Sequence, residues 1–351
     1  MPNINVIKIL VLSAFSSLLA VLFTPVLTHF LYKYKLWRKS AREKSIDGKP
    51  VPVFYNLHKE REVGVPRLGG VLIWVTTVSV AFLFSGLAKI SDSFLLEKLN
   101  FLSRDQTWLP LATLVAASLV GLSDDILQIF GKGKYTGGGI TFTRRLLAVL
   151  LIGIIGACWF YFKLDWHTLH VPGVGDLEIG FWYLPLFALV ILACWSGGVI
   201  DGLDGLAGGA FGIIFGAFSI IAFSRMQYNL AAFCAVIAGT ILAFLWFNIP
   251  PARFYMGETG IIGLTSTLAV VSFLTDSVLV LPIIGGLLVL ESGSVILQLL
   301  SKKFFHKKIF LSAPIHHHLE AKGWPAEKIT MRFWILGMVL AIIGVAIRLL
   351  G

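Results

Sequence analysis

The sequence predicts an all-α polytopic membrane protein with about ten transmembrane helices, forming one domain over residues 1–351. Three observations carry that expectation. The chain is 57% hydrophobic and only 14% charged, with a mean hydropathy of +0.85, whereas a soluble chain averages about 25% charged residues. Apolar runs close to the length of a membrane span recur from end to end. Lysine and arginine gather in alternate loops.

The runs fall at about 6–32, 68–90, 107–123, 146–163, 180–195, 207–223, 230–247, 260–275, 277–300 and 331–350. The first, Val6–Tyr32, is too long for a signal-peptide core and lacks a small-residue cleavage site, so it reads as a retained span. Only the neighbourhood of Asp276 separates the pair at 260–300. The loop after the first span, Lys33–Arg67, holds ten basic residues; the third-span loop adds Lys132, Lys134, Arg144 and Arg145. Arg253 follows the seventh span, and Lys302, Lys303, Lys307, Lys308, Lys322 and Lys328 follow the ninth. Odd-numbered loops thus hold 21 of the 29 basic residues, which places those loops in the cytoplasm and both termini outside. The net charge of +10 then faces anionic lipid and anionic substrates rather than nucleic acid. Cys158, Cys194 and Cys234 lack CxxC spacing and read as buried structural thiols. Gly212 and Gly216 form a GxxxG that would let helices pack closely. Gly137–Gly139 reads as a flexible loop tip, since no strand precedes it to make a nucleotide cradle.

Four polar stretches stand out against this background, all on the side assigned to the cytoplasm. Asp124 and Asp125 end the apolar run Leu109–Leu122. Acids near a bilayer core cost several kcal/mol, and adjacent ones repel, so such a pair marks a site for a cation or proton unless it simply ends a helix in the headgroup layer. The second stretch is Asp201-Gly202-Leu203-Asp204-Gly205, whose acids could instead be turn and helix-capping residues. The third runs from Asn248 through Pro250, Pro251 and Arg253 to Glu258 and Gly260. The fourth is Pro314-Ile315-His316-His317-His318-Leu319-Glu320. Three adjacent histidines are poor zinc ligands, because zinc helices space theirs by three or four; they suit phosphate hydrogen bonding or acid–base work, or a solvated loop tip. His58, His167, His170 and His306 read as isolated loop or interface residues. Carboxylates at 124, 125, 201, 204 and 258 with no cysteine nearby favour Mg²⁺ or Mn²⁺. Basic residues at 132, 134, 144 and 145 could neutralise phosphate. The residues alone therefore suggest a membrane-embedded, Mg²⁺-dependent enzyme acting on a phosphorylated substrate. Lys302–Lys308, basic with Phe304 and Phe305, suits the surface of anionic lipid.

At these stretches the chain resembles the polyprenyl-phosphate N-acetylhexosamine-1-phosphate transferases, over nearly its whole length. Ser312–Trp324 with its triple histidine, followed by Arg332-Phe333-Trp334, is similar to the muramoyl-pentapeptide branch. The resemblance implies transfer of phospho-MurNAc-pentapeptide from UDP-MurNAc-pentapeptide to undecaprenyl phosphate in the bacterial inner membrane, giving lipid I and UMP. It implies Mg²⁺ at the pyrophosphate, membrane lipid around the chain and, as often in the family, a homodimer. By the same resemblance Asp124 activates the lipid phosphate with Asp125 beside it, and Asp201 and Glu258 hold the metal. Asp204 belongs to the uridine side, Lys132 and Arg145 face phosphates, Asn248 and His318 also bind substrate, and His316 and His317 complete the site.

The chain departs from the family pattern at four places. Glu258 stands where Asp is usual, and Trp195 and Gly198 where paired asparagines are usual. Gln128 and Arg145 stand at lysine positions. Val65-Pro66-Arg67-Leu68-Gly69-Gly70 is closer to the GlcNAc-phosphate branch. A UDP-GlcNAc polyprenyl-phosphate transferase is therefore the near alternative. A catalytically weakened relative is another, in which Glu258→Asp would raise activity. An ion-coupled transporter is the alternative of a different class; it would place its acids near the bilayer midplane rather than at one face.

Overall fold

The computed structural model describes residues 2–39, 55, 63–132 and 138–351. The protein is 74% helix and 3% strand. Its elements are α1 (Pro2–Lys33), α2 (Gly70–Ile90), α3 (Phe94–Leu99), α4 (Trp108–Ile129), α5 (Phe142–Cys158), β1 (Thr168–Val171) and β2 (Gly175–Glu178). They continue with α6 (Tyr183–Ser196), α7 (Leu206–Ser224), α8 (Tyr228–Asn248), α9 (Gly257–Leu274), α10 (Leu281–Ile284), α11 (Gly286–Phe304), α12 (Ile315–Ala321) and α13 (Ala326–Leu350).

Nine helices among the described residues are long and apolar enough to cross a membrane. They divide by burial. The spanning stretch of α9 is 94% inside the protein, α8 78% and α7 72%, against 22% for α1 and 28% for α13. Peripheral helices turn large apolar side chains outward, such as Leu18 and Leu22 of α1 and Ile342 of α13. A water-soluble protein seldom exposes so continuous an apolar surface; in a bilayer it is the lipid-facing belt. The centre is α9 packed along α4, flanked by α6 and α2, while α7 and α8 pack on each other beside it.

The expected span at 277–300 takes a different form. Helix α10 stops at Ile284, and after Gly285 the chain resumes as α11. That helix carries Glu291, Lys302 and Lys303, more charge than an uninterrupted apolar span tolerates. The two pieces still run from the Asp276 end of the bundle to the opposite end, so the alternating direction of successive helices is kept.

Polar elements at the far end bind the helices there. Lys8 donates to Asn229 Oδ1 at 2.6 Å and to the Asn100 carbonyl at 3.0 Å. Arg225 pairs with Asp276. Strands β1 and β2 form an antiparallel hairpin in which His170 faces Asp176. The His170 ring bridges Asp176 Oδ1 and the Gly351 carbonyl, fixing the last residue to the hairpin. His167 contacts Asp165, and both histidines are the interface residues the sequence suggested. The two ends of the described chain thus lie at the end opposite the four polar stretches. Cys194 and Cys234 are buried and all three cysteines are free.

The GxxxG reading is corrected. A Cβ at Gly212 would meet only Ile241, at 3.4 Å, and one at Gly216 nothing within 4 Å. Close approach occurs instead between α4 and α9, where a Cβ at Gly121 would lie 2.1 Å from the Glu258 carbonyl oxygen.

Candidate active site

The four polar stretches converge at one end of the bundle, around the first turn of α9. Pro250 and Pro251 end α8 and turn the chain, because the residue before a proline avoids helical geometry. The chain then runs beside Pro66–Gly70: Tyr255 N–H donates to Pro66 O at 2.7 Å, and Gly69 and Gly70 donate to Tyr255 and Met256 at 2.8 Å. Gly257 has φ +72°, and a Cβ there would strike Arg67 O and Asp125 Oδ2. Glycine is required by both the angle and the space.

Helix α9 begins under two carboxylates. Asp125, fully buried, accepts from Glu258 N–H at 3.1 Å and Thr259 N–H at 2.9 Å. Asp201 accepts from Gly257 N–H at 3.2 Å. These amides have no partner within the helix, so the acids cap it and face the positive end of its dipole. The capping alternative for Asp201 thus holds, for α9 rather than α7. Helix α7 is preceded by Gly205, whose φ of +77° serves its own turn.

Asp124 lies on the next position of α4, also fully buried. It accepts from Gln128 Nε2 at 2.7 Å and from Ile140 N–H, and Arg145 Nη1 lies 3.4 Å from its Oδ2. Arg145 reaches Glu258 Oε1 at 2.6 Å from the same nitrogen, joining α4, α5 and α9. Arg38 donates to Gln128 Oε1, which continues the chain of contacts outward. Gly138 and Gly139 lie against this cluster, a Cβ at Gly139 sitting 2.7 Å from Asp124 Oδ1, while Gly137 of the expected loop tip lies outside the described residues.

The histidine stretch docks over the turn 201–205. A Cβ at Gly202 would lie 2.1 Å from His316 Nε2 and 3.1 Å from His317 Nε2. His316 and His317 are buried, with ring centroids 4.1 Å apart. His316 Nδ1 contacts Glu291 Oε2 and His317 Nδ1 contacts Glu320 Oε2, both at 2.7 Å. His318 sits at the side, its Nδ1 accepting from Leu311 N–H at 3.1 Å.

Two residues expected to bind substrate also fasten backbone in this geometry. Asn248 accepts from Gly205 N–H and donates to Phe254 O. Asp204 accepts from Ala252 N–H at 3.1 Å, and its carbonyl takes the Thr330 hydroxyl. Lys132 and Arg144 are exposed beside the cluster, whereas Lys134 and His58 lie outside the described residues. Gly198 packs against α9: a Cβ there would lie 2.4 Å from Ile261, so a larger side chain would have to displace that core residue. Trp195 packs on Phe142.

Two further residues join the site without having been singled out as site residues. Arg67 is the strongest cationic influence on both Asp125 and Asp201. Glu291 holds His316, and the signal for it was an acid inside an apolar run. Burial pushes the Asp201 carboxyl up to about 6, against the pull of Arg67 and the Gly257 N–H. Glu258 acts on Asp124, Asp125 and Asp201 alike, so four carboxylates share one neighbourhood with Arg67 and Arg145.

Among the described residues no three His, Cys, Asp or Glu side chains form a ready metal cage. The crowding of carboxylates nevertheless fits Mg²⁺, which takes one or two protein carboxylates and completes its octahedron with water and phosphate. Asp201, and Glu258 with its side chain 24% exposed, are the residues that could hold such an ion.

Residues 107–276 match the model of glycosyl transferase family 4. The chain is 32% identical over 339 residues to the phospho-N-acetylmuramoyl-pentapeptide-transferase of Geobacillus sp. strain WCH70, covering 95% of each. It is 36% identical over 289 residues to the protein of that name from Lactiplantibacillus plantarum, covering 82% of this chain and 85% of the relative. The one from Bacillus subtilis strain 168 is 31% identical over 339 residues, with 94% and 95% covered.

Proposed function

The chain belongs to the phospho-N-acetylmuramoyl-pentapeptide transferase family, and from that premise we propose how its site works. The protein transfers phospho-MurNAc-pentapeptide from UDP-MurNAc-pentapeptide to undecaprenyl phosphate, on the cytoplasmic face of a bacterial inner membrane. The supporting observation is the convergence of Asp124, Asp201, Glu258 and Arg145 under the docked histidines, at one end of a membrane bundle. Acids at the membrane edge with two arginines are what a pyrophosphate and a cation need together. They are not the midplane acids of a transporter.

In this reading an oxygen of the lipid phosphate attacks the β-phosphorus of the nucleotide sugar. The new P–O bond forms as the bond from the β-phosphorus to the bridging oxygen breaks, and UMP leaves with that oxygen. A lipid phosphate is mostly ionised near neutral pH, its second pKa being about 6, so the task is positioning more than deprotonation. Asp124 and Arg145 orient the attacking phosphate. Arg145 already pairs with carboxylates and Arg67 is close enough to act on Asp201, and a phosphate taking the place of one such anion preserves the local charge balance. Asp201 and Glu258 would hold Mg²⁺, which offsets charge on the pyrophosphate oxygens. His316 and His317 would donate to phosphate from above Gly202.

The test is UMP release by purified protein in detergent with Mg²⁺ and undecaprenyl phosphate. UDP-MurNAc-pentapeptide and UDP-GlcNAc are offered separately, with Asp124→Asn as control. Turnover of the muramoyl substrate is expected. Turnover of UDP-GlcNAc alone would replace this reading with the alternative that Arg67 favours, and silence with both would refute it.

A further inference from the structure

Helix α11 carries a polar stripe, and that stripe holds the histidine stretch. Glu291, Ser294, Gln298 and Ser301 are buried on one face, while Leu290, Leu297 and Leu300 are exposed on the other. Gln298 accepts from the Ile309 and Phe310 amides and donates to Phe310 O. Ser301 donates to Lys307 O. These bonds fasten backbone only. Glu291 is different: its Oε2 lies 2.7 Å from His316 Nδ1, and both side chains are completely buried. A buried acid in a membrane segment is costly and is kept where it meets a defined partner.

We propose that Glu291 is a positioning residue for the phosphoryl transfer. Its carboxylate holds the Nδ1 proton of His316 and so presents Nε2 to the Asp201–Gly202 turn, where the substrate phosphates are placed. The arrangement rests on the proposed function for its chemistry, but its geometry stands alone. An imidazole has two nitrogens, and the partner of one decides what the other can do. With Nδ1–H bound to the acid, Nε2 is the nitrogen left to work at the turn. The same logic orients the histidine of a hydrolase triad through an acid that never touches substrate.

The experiment compares Glu291→Gln, Glu291→Asp, Gln298→Ala, His316→Ala and the double variant Glu291→Gln/His316→Ala, measuring kcat and KM for UMP release. Glu291→Gln should lower kcat at least about 10-fold with KM nearly unchanged, in keeping with the 10²–10⁴-fold range of acid–base groups. Glu291→Asp should recover part of that loss. Gln298→Ala loosens the same loop without touching the ring and should leave kcat within about twofold. In the His316→Ala background, Glu291→Gln should cost nothing more. A kcat for Glu291→Gln within twofold of the parent, or losses that multiply in the double variant, would overturn the proposal. A second readout needs no substrate: ¹⁵N spectra of histidine-labelled protein, with the His316 signals assigned by their loss in His316→Ala. Nδ1 should be protonated in the parent, with the tautomers mixing in Glu291→Gln. An unprotonated Nδ1 in the parent would overturn the proposal. If no nucleotide sugar turns over, the proposed function has failed, and the ¹⁵N result still decides the role of Glu291.

Discussion

Gly121 offers the sharpest quantitative test of the site, because a single methyl group there must move a helix. The Cβ of Gly121→Ala would lie 2.1 Å from the Glu258 carbonyl oxygen and 2.6 Å from Thr259 Cα. Both are backbone atoms and cannot rotate away. Ordinary contact begins at about 3.4 Å, so α4 and α9 must part by about 1.3 Å. One turn along α4, Asp125 binds the Glu258 and Thr259 amides at 3.1 and 2.9 Å. That displacement would carry both bonds beyond 4 Å, outside hydrogen-bond range. Overpacking costs about 1–3 kcal/mol, and each bond to a charged group contributes about 1.5–3 kcal/mol. Partial relaxation leaves a destabilisation of about 4 kcal/mol. The shift also separates Asp124 from Glu258, and a misplacement of about 1 Å can lower the rate about 10²-fold. The assay is UMP release at saturating substrates beside the temperature of half-inactivation in detergent. Gly216→Ala is the comparator, with nothing within 4 Å of the new atom, and should leave both quantities unchanged. A Gly121→Ala protein with parental kcat and thermal stability would refute the reasoning.

Glu258→Asp should lower activity and not raise it, because the shorter acid gives up the 2.6 Å contact with Arg145; a rise in kcat would revive the idea of a weakened relative. Chelation of divalent cations should abolish UMP release, and Mn²⁺ should restore part of it; activity undiminished in chelator would remove the metal from the reading. The Asp201 carboxyl, raised from 3.8 to about 6 by burial, favours folding in its protonated form. That contribution is complete below about 3.8 and is lost as pH rises through about 6. In chelator, thermal stability should therefore fall between about pH 4 and 6, and Asp201→Asn should flatten the slope; equal slopes in both proteins would count against it.

What the sequence made legible depended on chemistry that announces itself locally. Asp124-Asp125, the turn 201–205 and the histidines are rare residue types in an apolar chain, and charge in alternate loops put them on one face. The fold then brought those stretches together. Glu291 was passed over because one acid in a long run looks tolerable, and its partner lies 25 residues away across a loop. Asn248 and Asp204, which the resemblance assigned to substrate, also bond backbone at Gly205, Phe254 and Ala252, contacts between distant segments that no local pattern announces. The close seam at Gly121 was illegible because its partner is Glu258, far away in sequence. The GxxxG at Gly212 and Gly216 had the pattern without the neighbour.

The contacts also explain how a membrane-embedded acidic cluster stays compatible with a stable fold. The first turn of α9 has amide donors that its own helix cannot satisfy. Asp125 takes two and Asp201 takes one, and a partly buried helix start stabilises a carboxylate by up to about 2 kcal/mol. Asp124 is held by Gln128, Ile140 and Arg145. Glu258 differs: its side chain is 24% exposed and contacts Arg145 from the rim. The acids thus divide between those that tie helices together and one that reaches open space. Asp125→Asn should accordingly lose thermal stability first, since an amide meets those N–H groups with only one accepting oxygen. Glu258→Gln should lose kcat first, with the fold intact. The opposite order, in one detergent preparation measured for both properties, would show that the division drawn from these hydrogen bonds is wrong.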